Sequence, residues 1–162
     1  MGGSPFDIAQ IFATLSGFTL LGILAVSDAK SFRLPIAANL GFLVAGITVG
    51  GVAFGTPFVD RLIGAGAGFL SLSALAFVYR LLRGRTGIGG GDPILLAGIG
   101  SWIGWQLLPM TVFMGSTTGL IFAVAMFLKG KNQHQWNLQR LPFGTMLAVA
   151  TILVVSFDLR LT

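Results

Sequence analysis

Long apolar runs alternate with short polar breaks along this chain, and the run lengths predict membrane-crossing helices. Six runs approach the about 20 residues that a helix needs to cross a bilayer. They are Ile8 to Ser27, Leu34 to Phe54, Leu62 to Tyr79, Pro93 to Leu108, Pro109 to Leu128 and Leu141 to Phe157. The division between the fourth and fifth rests on Pro109 in Leu107-Leu108-Pro109, because proline inside a helix removes a backbone donor and clashes with the preceding turn. The expected fold is all-α, a polytopic membrane protein with about six transmembrane helices in a single domain over residues 1–162.

Composition supports that class. Apolar residues make up 54% of the chain, charged residues 9%, and the mean hydropathy is +0.89, values that exclude a soluble domain of this size. The first run does not read as a cleaved signal peptide, since no basic residue precedes it and no small-residue cleavage site leads into a soluble segment. Met1 to Pro5 has the composition of a linker.

The ten basic residues give an orientation, because short cytoplasmic loops hold Lys and Arg while translocated loops exclude them. Lys30 and Arg33 follow the first run, Arg80, Arg83 and Arg85 the third, and Lys129, Lys131 and Arg140 the fifth. Only Arg61 and Arg160 fall on the other side, so the amino terminus is expected outside. The +5 net charge is thereby a topology signal that also suits anionic lipid headgroups. No basic face with interleaved aromatics points to nucleic acid.

The acids then become informative. The chain has five aspartates and no glutamate. The charge-derived topology puts Asp28 and Asp92 together at the cytoplasmic ends of the first and fourth runs, with 63 residues between them. Asp7, Asp60 and Asp158 fall at the opposite surface and read as solvated helix ends. Two readings of Asp28 and Asp92 compete, since an acid near the membrane interior is costly. In one they are interfacial caps, with Asp92 as the N-cap of the fourth helix and Pro93 at its first position. In the other they form a carboxylate pair, one acting as general base on a water and one as general acid on a peptide carbonyl, beside glycines that admit a bound backbone.

Three ordered motifs resemble those of the type IV prepilin leader peptidases, the GxGD intramembrane aspartyl proteases. Gly89-Gly90-Gly91-Asp92, continuing to Gly104-Trp105, is similar to the family's GxGD region. Asp28-Ala29-Lys30-Ser31-Phe32-Arg33-Leu34-Pro35 is similar to its first catalytic motif, and Leu141-Pro142-Phe143-Gly144 to its late Pro-Phe-Gly step. The resemblance implies a six-helix membrane aspartyl endopeptidase that removes the short basic leader from prepilins or pseudopilins at the cytoplasmic face of a bacterial inner membrane. It implies Asp28 and Asp92 as the catalytic pair, with Gly89, Gly90, Gly91, Pro35, Pro142, Phe143 and Gly144 as supporting or substrate-binding positions. Two positions depart from the pattern: Ile94 stands where the family has lysine, and Ile36 where it has Asp or Asn. The bifunctional members carry paired Cys-x-x-Cys sequences that bind zinc and accompany N-methylation. This chain has no cysteine, so it is expected to lack methyltransferase activity, metal and other cofactors, as the short peptidase-only forms do.

The remaining features have ordinary explanations. Gly46 and Gly50, Gly64 and Gly68, Gly100 and Gly104, and Gly115 and Gly119 have the i, i+4 spacing of close helix packing, with homodimerisation through one such face as the alternative. Gly87 to Gly91 is no phosphate loop, because no Gly-Lys-Ser/Thr follows. His134, in the polar loop Lys129 to Arg140, has no ligand companion. Trp102, Trp105 and Trp136 read as packing or interfacial aromatics. Two other classes stay open at this point: a non-enzymatic assembly factor for a pilus or secretion system, and a small cation-coupled transporter, whose acids would sit nearer the midplane.

Overall fold

In the computed structural model, residues 8–31, 34–84, 89–128 and 142–161 are described, and all regular structure among them is helical. The elements are α1 (Ile8–Ser31), α2 (Ile36–Phe54), α3 (Phe58–Arg83), α4 (Asp92–Ile103), α5 (Leu108–Leu128) and α6 (Phe143–Leu161). The fold is that of a polytopic membrane protein. By length and apolarity α1, α2, α3 and α5 can each cross a bilayer, while α4 and the apolar stretch Phe143–Asp158 of α6 are shorter. Asp7, the Lys129 to Arg140 loop with His134 and Trp136, and Met1 to Pro5 lie outside the described residues.

Proline and glycine set the boundaries. Pro35, Pro57 and Pro142 immediately precede α2, α3 and α6, and Pro93 and Pro109 occupy the second positions of α4 and α5. Proline suits the first turn, whose N–H groups have no helical partner. Gly55, Gly84 and Gly104 end α2, α3 and α4 at φ 65°, 67° and 79°, in the left-handed region where side chains are disfavoured. Pro109 stands at the second position of α5, in keeping with the division expected there, but the fourth helix stops at Ile103, five residues before the expected Leu108, because Gly104 turns the chain. The third helix outruns its apolar core at both ends, taking in Asp60, Arg61, Arg80 and Arg83.

The helix α4 is the core. Eleven of its twelve residues are buried, with Ile94 alone partly exposed. Its neighbours α2 and α3 turn stripes of small residues toward it: Gly46 and Gly50 of α2 lie against Ser101 and Trp102, and Gly64 and Gly68 of α3 lie against Gly100, Leu96 and Ala97. Lipid offers no hydrophobic reason for helices to associate, so close backbone approach and interhelical hydrogen bonds hold such a bundle. Ser101 Oγ donates to Leu43 O at 3.1 Å, Trp102 Nε1 to Phe42 O at 3.0 Å and Thr56 Oγ1 to Trp102 O at 3.2 Å. The large apolar side chains of α3 and α5 point outward, among them Leu70, Phe77, Leu81, Phe113 and Leu120. That arrangement buries little side chains and exposes large ones, the reverse of a soluble bundle.

The helices are unequal in reach. Gly68 of α3 faces Leu96 of α4, and from there α3 runs 15 more residues to Arg83 whereas α4 runs back only four to Asp92. The end of α3 therefore overhangs the start of α4 by about 16 Å at 1.5 Å per residue. Gly115 of α5 faces Leu147 of α6 in the same way, and α5 overhangs the start of α6 by about 14 Å. No residue of α3 beyond Leu72 is buried.

Candidate active site

Three helix N-termini and one C-terminus meet below these overhangs. The last turns of α1 face the first turns of α2, α4 and α6, with Leu34 packed among them: a side chain on Gly91 would come 2.7 Å from Leu34 Cβ, and one on Gly144 3.0 Å from Leu34 Cδ1. Helix N-termini carry partial positive charge from aligned peptide dipoles and unpaired N–H groups, so their convergence favours carboxylates. Both candidate acids lie there.

Asp28 faces inward because it continues the buried stripe of α1, Ala13, Gly17, Leu21 and Leu24, at helical spacing. It is 5% exposed. Its Oδ2 accepts the backbone N–H of Thr145 at 2.9 Å, an N–H in the first turn of α6 that has no partner within its own helix. Thr145 Oγ1 lies 3.2 Å from the same oxygen and 3.0 Å from Ala25 O, so its one proton is shared between two acceptors. Asp28 thus caps α6 from another helix.

Asp92 is 7% exposed, and its carboxylate is close enough to that of Asp28 for the two charges to interact. It is the first residue of α4, with Gly91 at the N-cap position and no side-chain cap bond, which corrects the reading of Asp92 as N-cap with Pro93 at the first position. The carboxylate turns backward, and Oδ2 accepts the N–H of Gly89 at 3.1 Å. This short loop closes on itself through Asp92 N–H to Gly89 O at 3.2 Å. Its outer face is open, since Gly89 and Gly90 are exposed.

The supporting positions divide into those at the acids and those nearby. A side chain on Gly144 would stand 3.1 Å from Asp28 Oδ2, so glycine there is what lets the start of α6 approach the acid. Gly91 packs on Leu34 and lies beside Asn39, while a side chain on Gly90 would meet nothing within 4 Å. Pro35 O and Pro142 O accept Asn39 N–H and Met146 N–H, closing the first turns of α2 and α6. Phe143 is half-buried against the core. Ile36 is exposed and Ile94 partly exposed, at the starts of α2 and α4 beside the pair.

Sequence reasoning passed over Thr145 and Asn39. Thr145 directly follows the Pro-Phe-Gly step, which was the available signal. Asn39 is fully buried and donates from Nδ2 to Gly91 O at 3.0 Å; its signal is a lone amide at the head of the stripe Phe42, Gly46, Gly50.

The other acids are apart from the pair. Asp158 is exposed near the far end of α6. Asp60 is no simply solvated helix end, because its oxygens accept Trp105 Nε1 at 3.1 Å and Gln106 Nε2 at 2.9 Å and so fasten the short link between α4 and α5. Arg61, expected at the outer surface, is buried beneath α2, with its guanidinium donating to the carbonyls of Gly46 and Ile47 and lying 5.4 Å from the Phe58 ring centroid. Among the described residues no cluster of three or more His, Cys, Asp or Glu gathers. What remains is two buried carboxylates close enough for their charges to interact, one of them at an open-sided turn, a geometry suited to passing protons to and from a bound amide.

Comparison with known proteins gives one family. The sequence model described as the type IV leader peptidase family matches residues 15–124. The chain is 36% identical over 142 residues to a prepilin leader peptidase/N-methyltransferase of Aeromonas salmonicida (strain A449), covering 86% of this chain and 48% of that protein. Similar proteins of the same name occur in Dickeya chrysanthemi, 36% identical over 141 residues (86% of this chain, 48% of that protein), and Klebsiella pneumoniae, 42% identical over 98 residues (60% and 43%). The chain spans about half the length of the curated relatives it matches. No solved structure matches it.

Proposed function

Because this chain belongs to the type IV leader peptidase family, we propose that it is a membrane aspartyl endopeptidase with Asp28 and Asp92 as its catalytic pair. Its substrates are prepilins or pseudopilins, from which it removes the short basic leader. The observation that carries the reading is that two buried carboxylates, with 63 residues between them in sequence, lie close enough for their charges to interact where three helix N-termini converge.

The chemistry follows from two acids sharing one proton. One carboxylate takes a proton from water as its oxygen attacks the scissile carbonyl carbon. The other gives its proton to the carbonyl oxygen, and the resulting diol collapses as the amine leaves protonated. The hydrogen bonds from Thr145 and Gly89 hold the carboxyl groups in orientation while this happens. Gly89 and Gly90 carry no side chain at the open face of the turn, which leaves room for an extended peptide backbone beside Asp92.

The pair's end of the bundle bears Lys30, Arg80 and Arg83, and positive charge is retained on the cytoplasmic side. This supports a site at the cytoplasmic face of a bacterial inner membrane and an amino terminus in the periplasm.

The test is a panel of prepilins and pseudopilins incubated with membranes holding the protein, or its Asp28→Ala and Asp92→Ala variants at matched abundance. Loss of the leader mass with wild type, and with neither variant, supports the assignment. A wild type inert on the whole panel, or a variant that cuts normally, removes it. Product mass also reports whether the new amino terminus gains a methyl group.

A further inference from the structure

Asn39 is the side chain whose placement neither packing nor the carboxylate chemistry explains. It heads the inward stripe of α2 and is fully buried. Its Nδ2 donates to Gly91 O at 3.0 Å, while Oδ1 is buried with no hydrogen-bond partner. The orientation of the amide follows from chemistry: a backbone carbonyl only accepts, so the NH2 group must face Gly91 and the oxygen must face away.

Such an arrangement is poor for folding alone. A buried acceptor without a donor costs at least as much as one ordinary hydrogen bond returns, and Oδ1 is itself shut off from solvent. A leucine, with the same branching, would leave no buried acceptor unpaired. What the amide adds is its one bond, to the residue immediately before Asp92. Gly91 O also accepts Leu95 N–H at 2.9 Å, and Gly91 packs on Leu34, so the peptide leading into Asp92 is fixed from α4, from α2 and from the α1–α2 link together. Asp92 N–H in turn bonds Gly89 O, and Gly89 N–H bonds the carboxylate. A shift of Gly91 therefore shifts the whole Gly89 to Asp92 turn.

We propose that Asn39 is a positioning residue: its amide ties the Gly89 to Asp92 turn to α2 and so sets where the Asp92 carboxyl stands relative to Asp28. Its catalytic consequence rests on the peptidase reading, whereas the tie itself does not. Asn39 touches Gly91 and acts through it, so its loss is expected in turnover more than in substrate affinity.

Two variants of the full chain in membranes test this. Asn39→Leu removes the donor and the orphan acceptor together, and Asn39→Asp keeps the shape but replaces the amide donor with a second oxygen. Both are expected to lower kcat about 10- to 100-fold, the range of a small misplacement of a reacting group, with KM changed by less than about threefold. Amide hydrogen exchange in peptides covering residues 89–95 is expected to quicken in both variants, while exchange in α1 around Gly17 stays as in wild type and Asn39→Leu unfolds at no lower temperature. Unchanged exchange at the turn overturns the proposal whatever cleavage does, and so does Asn39→Leu with wild-type kcat. Exchange that quickens in a protein whose wild type cuts nothing supports the tie and overturns the peptidase reading alone.

Discussion

Asp28 Oδ2 accepts the backbone N–H of Thr145 at 2.9 Å, joining the end of α1 to the start of α6 across 117 positions of sequence. The bond satisfies a first-turn donor of α6 that its own helix leaves open, and it fixes one member of the acid pair. The side chain therefore has a structural role and, on the proposed reading, a chemical one, and the two separate on substitution.

Replacing either acid by alanine is expected to lower cleavage by at least about 100-fold, because general acid–base steps contribute roughly 10²–10⁴. The double variant should be little worse than either single one, since groups that act as a unit are strongly non-additive. Leader removal in a quantitative mass assay measures all three. A double variant whose loss equals the product of the single losses would mean that the acids act independently.

Thr145→Val keeps the backbone N–H and removes only the hydroxyl, whose proton Asp28 shares with Ala25 O. One ordinary hydrogen bond contributes about 0.5–1.5 kcal/mol, so cleavage should fall by no more than about tenfold. A loss as large as that of Asp28→Ala would assign the hydroxyl a direct part in the chemistry.

The glycines of α3 differ in what surrounds them. A side chain on Gly64 would run into the Gly100 backbone, while one on Gly66 would meet nothing within 4 Å. Gly64→Ala is expected to destabilise by about 1–3 kcal/mol, as overpacking does, and Gly66→Ala to be neutral or stabilising by up to about 1 kcal/mol. Thermal unfolding in one detergent compares them, and equal midpoints would contradict the close approach of α3 and α4.

The native sequence has no cysteine, so single introduced thiols report orientation. Val59→Cys, at the exposed start of α3, is expected to react in intact cells with a membrane-impermeant maleimide, and Leu82→Cys, at its exposed end, only after lysis. The opposite pattern would invert the topology and move the acid pair to the periplasmic face.

Much of this fold was readable in the chain, for reasons that differ by element. Apolar run length located all six helices, though it placed the start of α3 at Leu62, four residues after Phe58. The length of α4 was not readable, because the apolar run continues from Ile103 to Leu108 while the backbone does not; Gly104 reads as half of a packing pair with Gly100, yet its φ of 79° ends the helix. The approach of Asp28 to Asp92 was legible through charge topology, since basic residues at the ends of α1 and α3 place both acids at one end. Thr145 and Asn39 were not, because their partners lie 117 and 52 positions away and no local pattern encodes a distant acceptor. The burial of Arg61 was not readable for a related reason: a charge count assigns a side of the membrane but says nothing of burial against the carbonyls of Gly46 and Ile47.

The unequal reach of the helices makes the lipid part of the site. A helix of 26 residues, α3, extends about 39 Å and exceeds the about 30 Å of a typical hydrocarbon layer, and Arg80 and Arg83 hold its end among the headgroups. The start of α4 is then fixed at a depth counted in residues of α3. Exposed backbone at Gly89 and Gly90 would be intolerable in hydrocarbon, so solvent must follow the pair down to that depth, through a locally thinned or funnelled bilayer. On the proposed peptidase reading, hydrophobic mismatch would then bear on the chemistry: a thicker membrane would lengthen the path that water and a scissile bond travel to Asp28 and Asp92, and a thinner one would shorten it.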